Sequence, residues 1–92
     1  MNIGTQPVTN HYRDKALFLL TDQKTFSTVE AMAFVLKNRK LANIFSNKTA
    51  GAGNISGQYM LADSYLITIP VGVIISPVTK TGWEKIGANP DV

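Results

Sequence analysis

Apolar and polar positions divide this chain into distinct blocks. Lys15 to Thr21 holds the unbroken apolar run Ala16-Leu17-Phe18-Leu19-Leu20. A continuous run of that length, rather than an alternating one, predicts a strand covered on both faces. Asp22-Gln23-Lys24 is a polar turn, and a helix is expected from about Thr28 to Asn38. There Val29, Met32, Ala33 and Leu36 fall at i, i+3, i+4 and i+7, one apolar stripe. Ala31, Phe34 and Val35 cover much of the remaining surface, which predicts a helix buried on most sides. Leu41 to Ser46 reads as a second short strand. The loop Asn47-Lys48-Thr49-Ala50-Gly51-Ala52-Gly53-Asn54 follows. Ile55–Leu61 and Ser64–Val71 then read as two strands joined at Ala62-Asp63, a hairpin signal, with Val73-Ile74-Ile75 continuing the sheet. Ser76-Pro77 opens a turn, and the tail from Thr81 to Val92 is loop-like. Residues 1–14 mix Gly, Pro, Thr, Asn and charge and read as an irregular lead-in.

The order strand, helix, strand, glycine loop, then a short run of mostly antiparallel strands defines an α/β core. One helix cannot cover both faces of so apolar a sheet. The chain is therefore expected to self-associate, or to receive its remaining layer from sequence upstream. At 92 residues it is one small domain, and an apolar fraction of 45% with 16% charged residues places it among globular chains.

Charge and motifs then exclude several functions. The net charge is +3, and the one dense cluster, Lys37-Asn38-Arg39-Lys40, falls where the helix ends. Cations there complement the helix dipole, and no aromatic residues interleave with them, so no nucleic-acid partner is expected. The longest apolar run, Leu66 to Ile75, is half the ~20 residues that span a bilayer, and Pro70 and Gly72 interrupt it, so no membrane insertion is expected. Met1 to Pro7 lacks the apolar core of a signal peptide. There is no cysteine. The glycine loop lacks the ending of a nucleotide P-loop and the dinucleotide fingerprint, so no cofactor is expected.

The chemistry concentrates at Thr25-Phe26-Ser27-Thr28-Val29-Glu30. Ser27 falls where a strand has ended and a helix begins, facing free N–H groups and the positive end of the dipole. Ser-x-x-Glu before an apolar run is a capping box. The same position suits a nucleophile whose attack creates an oxyanion, and the two readings are compatible. Oxyanion donors are available from the helix start and from the backbone of Gly51, Ala52 and Gly53. No stretch identifies a general base; His11, the only histidine, reads as a solvated loop residue.

Several motifs together carry a family resemblance. These are the apolar strand Leu17–Thr21, the Ser27-x-x-Glu30 turn, Thr49-Ala50-Gly51-Ala52-Gly53, Ile69-Pro70-Val71-Gly72, and the closing Gly87-Ala88-Asn89-Pro90-Asp91. In this order, over some 80 residues, the chain resembles the C-terminal processing (tail-specific) serine peptidases and their retinoid-binding-protein and nisin-resistance-protease relatives. The resemblance implies a crotonase-like (Clp-protease-like) α/β superhelix, with residues 15–92 as the C-terminal part of the peptidase domain. It implies Ser27 as nucleophile, Glu30 as supporting acid, peptide or protein substrates, and a periplasmic or extracytoplasmic location for the full-length protein. Ala52 stands where the processing-protease branch carries its catalytic lysine, and Lys48 does not inherit that role. The isolated chain is then expected to be inactive. The alternative is a non-catalytic module binding small apolar ligands or proteins, with a cavity lined from Met32, Phe34, Phe45 or Leu66.

Overall fold

The structure, a computed structural model, describes residues 4–92; the first three residues of the lead-in lie outside the described ones. Residues 4–17 carry neither helix nor strand. The elements are β1 (Phe18–Thr21), α1 (Thr28–Asn38), β2 (Asn43–Ser46), β3 (Asn54–Leu61) and β4 (Tyr65–Val73).

The fold is α/β. β1 and β2 pair in parallel, Phe18 opposite Asn43 through Thr21 opposite Ser46, and α1 makes the crossover between them. β1 is shorter than its apolar run because β2 offers a partner only over four residues. β3 and β4 form an antiparallel hairpin from Asn54↔Val73 to Leu61↔Tyr65, with a register shift between Ile55 and Ser56. The shift leaves Val71 unmatched next to Pro70, whose missing N–H suits a sheet edge. The turn spans Ala62–Ser64, with Ala62 at φ 55°.

The helix matches its expected bounds, but the buried stripe is not the expected one. Glu30 and Ala33 are buried, and Phe34 and Lys37 half-buried, so the inward face runs through 30, 33, 34 and 37. Val29, Met32 and Val35 are exposed, which corrects the expectation of a helix buried on most sides. The helix has turned by one position because Glu30 answers buried donors inside the fold and Lys37 pairs with Asp91 at 3.0 Å. β1 is likewise not covered on both faces: Leu20 is 82% exposed. At the C-terminus, Lys40 adopts φ 57°, with Leu41 N–H donating to Leu36 C=O and Lys40 N–H to Lys37 C=O, both at 2.8 Å. That is a Schellman ending with lysine in place of glycine.

The core comprises Ala33, Ile44 and Ala88, with Leu19 packed against it. Trp83 is 2% exposed and lies on Phe34, ring centroids 5.1 Å apart. The tail is loop-like in backbone, yet it supplies core. Asp91 N–H donates to Ile44 C=O at 2.7 Å, Ile44 N–H returns to Asp91 Oδ2 at 2.8 Å, and Ser46 N–H donates to Val92 C=O at 3.1 Å. These bonds lay the last two residues along β2. The radius of gyration, 16.2 Å, exceeds the ~12 Å of a compact chain this long, because the β3–β4 hairpin stands largely apart from the rest. Both hairpin faces are exposed; Met60 is 71% accessible.

Candidate active site

The approach to Ser27 is built by an Asx turn. Asp22 Oδ1 accepts from Lys24 N–H at 2.7 Å and Thr25 N–H at 3.0 Å, bending the chain just after β1. Thr25 C=O accepts from Ala50 N–H at 2.9 Å, which ties this turn to the glycine loop. Ser27 is the N-cap of α1, solvent-exposed, with φ 57° and ψ −123°. Positive φ in a non-glycine residue is strained, and such strain persists only where surrounding contacts enforce it. The capping-box pair is in place, but only its Glu30 half closes tightly; the Ser27 side chain makes no direct cap hydrogen bond.

Glu30 is the contact that enforces the turn. It is fully buried and accepts four hydrogen bonds: the Thr49 hydroxyl and Gly51 N–H on Oε1, both at 2.6 Å, and Ser27 N–H and Ala52 N–H on Oε2, both at 2.8 Å. Burial pushes its carboxyl upward, but the Thr49 hydroxyl and the N–H groups of Gly51, Ala52 and Ser27 outweigh this and hold its pKa below the ordinary glutamate value. One carboxylate thus fastens the serine turn and the glycine loop to each other.

That fastening corrects one expectation. Gly51 and Ala52 N–H donate to Glu30, and Gly53 N–H donates to Glu84 Oε2 at 2.7 Å. A donor already held by a carboxylate is not open to an oxyanion, so these three N–H groups are structural. The glycines serve close approach instead. Gly51 has φ 91°, and a Cβ on Gly53 would stand 2.7 Å from the Glu84 nitrogen.

Ser27 borders a cleft of about 440 Å³ whose walls include Thr28, Ala31, Ala52, Asn54, Ile74 and Trp83. Asn54 Oδ1, on that wall, is buried without a partner among the described residues. Neither His11 nor Lys48 lines the cleft. The expected apolar cavity takes a different form. A hollow of about 140 Å³ lies between α1 and the turn at 74–78, and of the residues expected to line it only Phe34 does so. Met32 and Leu66 face solvent. Among the described residues, no three His, Cys, Asp or Glu side chains group as a metal site, and no helix is long and apolar enough to cross a membrane.

The residues that sequence reasoning missed are Trp83 and Glu84. Trp83 Nε1 donates to Ala52 C=O at 3.2 Å, and Glu84 holds the N–H groups of Gly53 and Asn54. The one available signal was the chain's single tryptophan, placed in a loop-like tail.

A βαβ unit whose exposed serine is wired through a buried glutamate to a glycine loop has a match among known families. The model of peptidase family S41 matches residues 4–92, and the chain belongs to that family. Among solved structures it is similar to the photosystem II D1 C-terminal processing protease, with 31% identity and a TM-score of 0.72 over 84% of this chain. The chain spans 20% of the length of that protease.

Proposed function

We propose that Ser27 is the nucleophile of a serine-type endopeptidase site that cleaves peptides by acyl transfer. The observation that carries this reading is the backbone of Ser27: exposed, at φ 57° and ψ −123°, between a strand and a helix N-terminus. A nucleophile elbow needs this sharp strand-to-helix turn, which lifts the hydroxyl clear of its neighbours. The first-turn N–H groups of α1 have no partner within the helix and point toward the same end, where developing negative charge is stabilised. Glu30 acts as the supporting acid by fixing the Ser27 N–H.

A base must take the hydroxyl proton. Ala52 borders the cleft where the processing-protease branch places lysine, and no lysine or histidine lines the cleft. On this reading no residue lining this cleft supplies the general base, and the chain alone is not expected to turn over peptides; Lys24 lines a separate hollow of about 480 Å³ that Ser27 also borders. A fluorophosphonate probe tests the proposal on the native-length protein. One adduct on Ser27, lost in Ser27→Ala, is expected; no adduct under conditions that label an active serine peptidase overturns it.

The second reading, a non-catalytic binder of small apolar ligands, rests on the hollow beside Phe34 and on Ala52. The hollow, about 140 Å³, falls below the roughly 300–1,000 Å³ of small-molecule sites, whereas the Ser27 cleft at about 440 Å³ lies within that range. Saturable binding of a fluorescent fatty acid would restore the second reading; linear uptake removes it.

A further inference from the structure

We propose that Glu84 is a positioning residue for the Ser27 cleft, an inference that rests on the reading of Ser27 as nucleophile. The loop between β2 and β3 is gripped from two sides. Glu30 takes the N–H groups of Gly51 and Ala52. Glu84 Oε2 takes the next two, Gly53 at 2.7 Å and Asn54 at 2.9 Å. Four consecutive N–H groups therefore end on two carboxylates supplied by distant parts of the chain. The carbonyls are held as well, Gly51 C=O by Lys85 N–H at 2.7 Å and Ala52 C=O by the Trp83 indole at 3.2 Å.

The two carboxylates have different tasks. Glu30 also holds Ser27 N–H, so it sets the serine relative to Ala52. Among the described residues, the Glu84 carboxylate's hydrogen bonds go to Gly53 and Asn54 and none to the serine turn. Glu84 sets where β3 leaves the loop, and Gly53, Asn54 and Ile55 line the same cleft as Ser27. With Glu84 removed, the first half of the loop stays fastened while the second half is free to swing. A peptide lying in that cleft then loses its alignment against Ser27. A misplacement of ~1 Å at a reacting centre costs on the order of 10²-fold in rate.

The test compares two variants of the native-length protein by the second-order rate of fluorophosphonate labelling at Ser27. Glu84→Gln keeps an acceptor oxygen at the same reach. Glu84→Asp keeps the charge but withdraws the oxygen by one methylene. Glu84→Gln is expected to label within about three-fold of wild type, and Glu84→Asp at least about ten-fold more slowly, through misalignment. A wild-type rate for Glu84→Asp overturns the proposal. So does a Glu84→Gln rate below that of Glu84→Asp, which would show that charge rather than a placed acceptor matters. Hydrogen exchange on the wild-type protein needs no variant to fold. Gly53 and Asn54 amides are expected to be as protected as Gly51 and Ala52, and free exchange there overturns the brace. Wild-type protein that never labels at Ser27 instead overturns the nucleophile reading itself, whatever the amides do.

Discussion

Thr49 and Gly87 approach so closely that no side chain fits between them. A Cβ on Gly87 would stand 2.4 Å from the Thr49 carbonyl oxygen, and Gly87 already has φ 74°. Next to this contact, Ala88 N–H donates to Thr49 Oγ1 at 2.7 Å and Thr49 N–H to Ala88 C=O at 3.2 Å. The tail and the glycine loop are thus one packed unit. Gly87→Ala is expected to destabilise the protein by about 2 kcal/mol or more, through backbone strain and steric overlap. Thermal unfolding checks it; an unchanged midpoint would mean that the tail is not seated on Thr49.

Glu30 answers four donors at once, so its loss leaves several buried groups unpaired. Each unsatisfied buried donor costs about 1–3 kcal/mol. Glu30→Ala is therefore expected to abolish cooperative unfolding. Glu30→Gln, which keeps one acceptor oxygen, is expected to fold with a midpoint below wild type. Near-wild-type stability of Glu30→Ala would contradict the network.

Ser27 holds a conformation that glycine adopts without penalty. Ser27→Gly is expected to raise stability by about 1 kcal/mol, the lower end of the cost of such strain. It is also expected to abolish fluorophosphonate labelling. Chemical denaturation of Ser27→Gly beside Ser27→Ala measures the difference. Equal stability of the two would show that the turn is not strained at this residue.

Acid should loosen the fold. The Glu30 carboxyl is held below its ordinary value as described, and that of Asp91 is lowered by the Ile44 N–H and by Lys37. A carboxyl whose folded pKa is depressed stabilises the fold fully above its unfolded pKa, and that stability is lost as pH falls through the folded value. Unfolded carboxyls titrate near about 4. The urea midpoint is expected to be flat from neutral pH down to about 5 and to fall below that. A midpoint that holds or rises toward pH 3 would contradict it.

The β3–β4 hairpin leaves two backbone edges and both apolar faces open, with Met60 at 71% and Tyr65 at 70% accessible. Open edges and apolar faces recruit other chains. The 92-residue chain by itself is expected to form dimers or larger species. Light scattering that gives a monomer at high concentration would remove this expectation.

Much of the framework is legible because it is local. The Ser27-x-x-Glu30 box and the apolar run behind it mark the helix from Thr28 to Asn38, and the apolar segments flanking Ala62-Asp63 mark the hairpin. What stays hidden depends on distant partners. Nothing near Glu30 reveals that Thr49 and Gly51 will demand its carboxylate, so periodicity alone assigns the wrong face of α1 to the interior. Glu84 reads as one more solvated charge, because its partners at Gly53 and Asn54 lie about thirty residues upstream. The loop glycines look like anion binders for the same reason. Their true neighbours, Glu84, Lys85 and Gly87, come from a tail without regular structure.

On the proposed reading of Ser27 as nucleophile, the consumption of the Gly51–Asn54 amides bears on inhibitor design. A boronate or other tetrahedral mimic bonded to the Ser27 oxygen meets a ribbon with no hydrogens left to offer. Its charged arm has to turn toward the start of α1, and its side groups toward Ile74 and Trp83. Compounds shaped for a glycine-loop anion cradle would present their charge to the wrong wall.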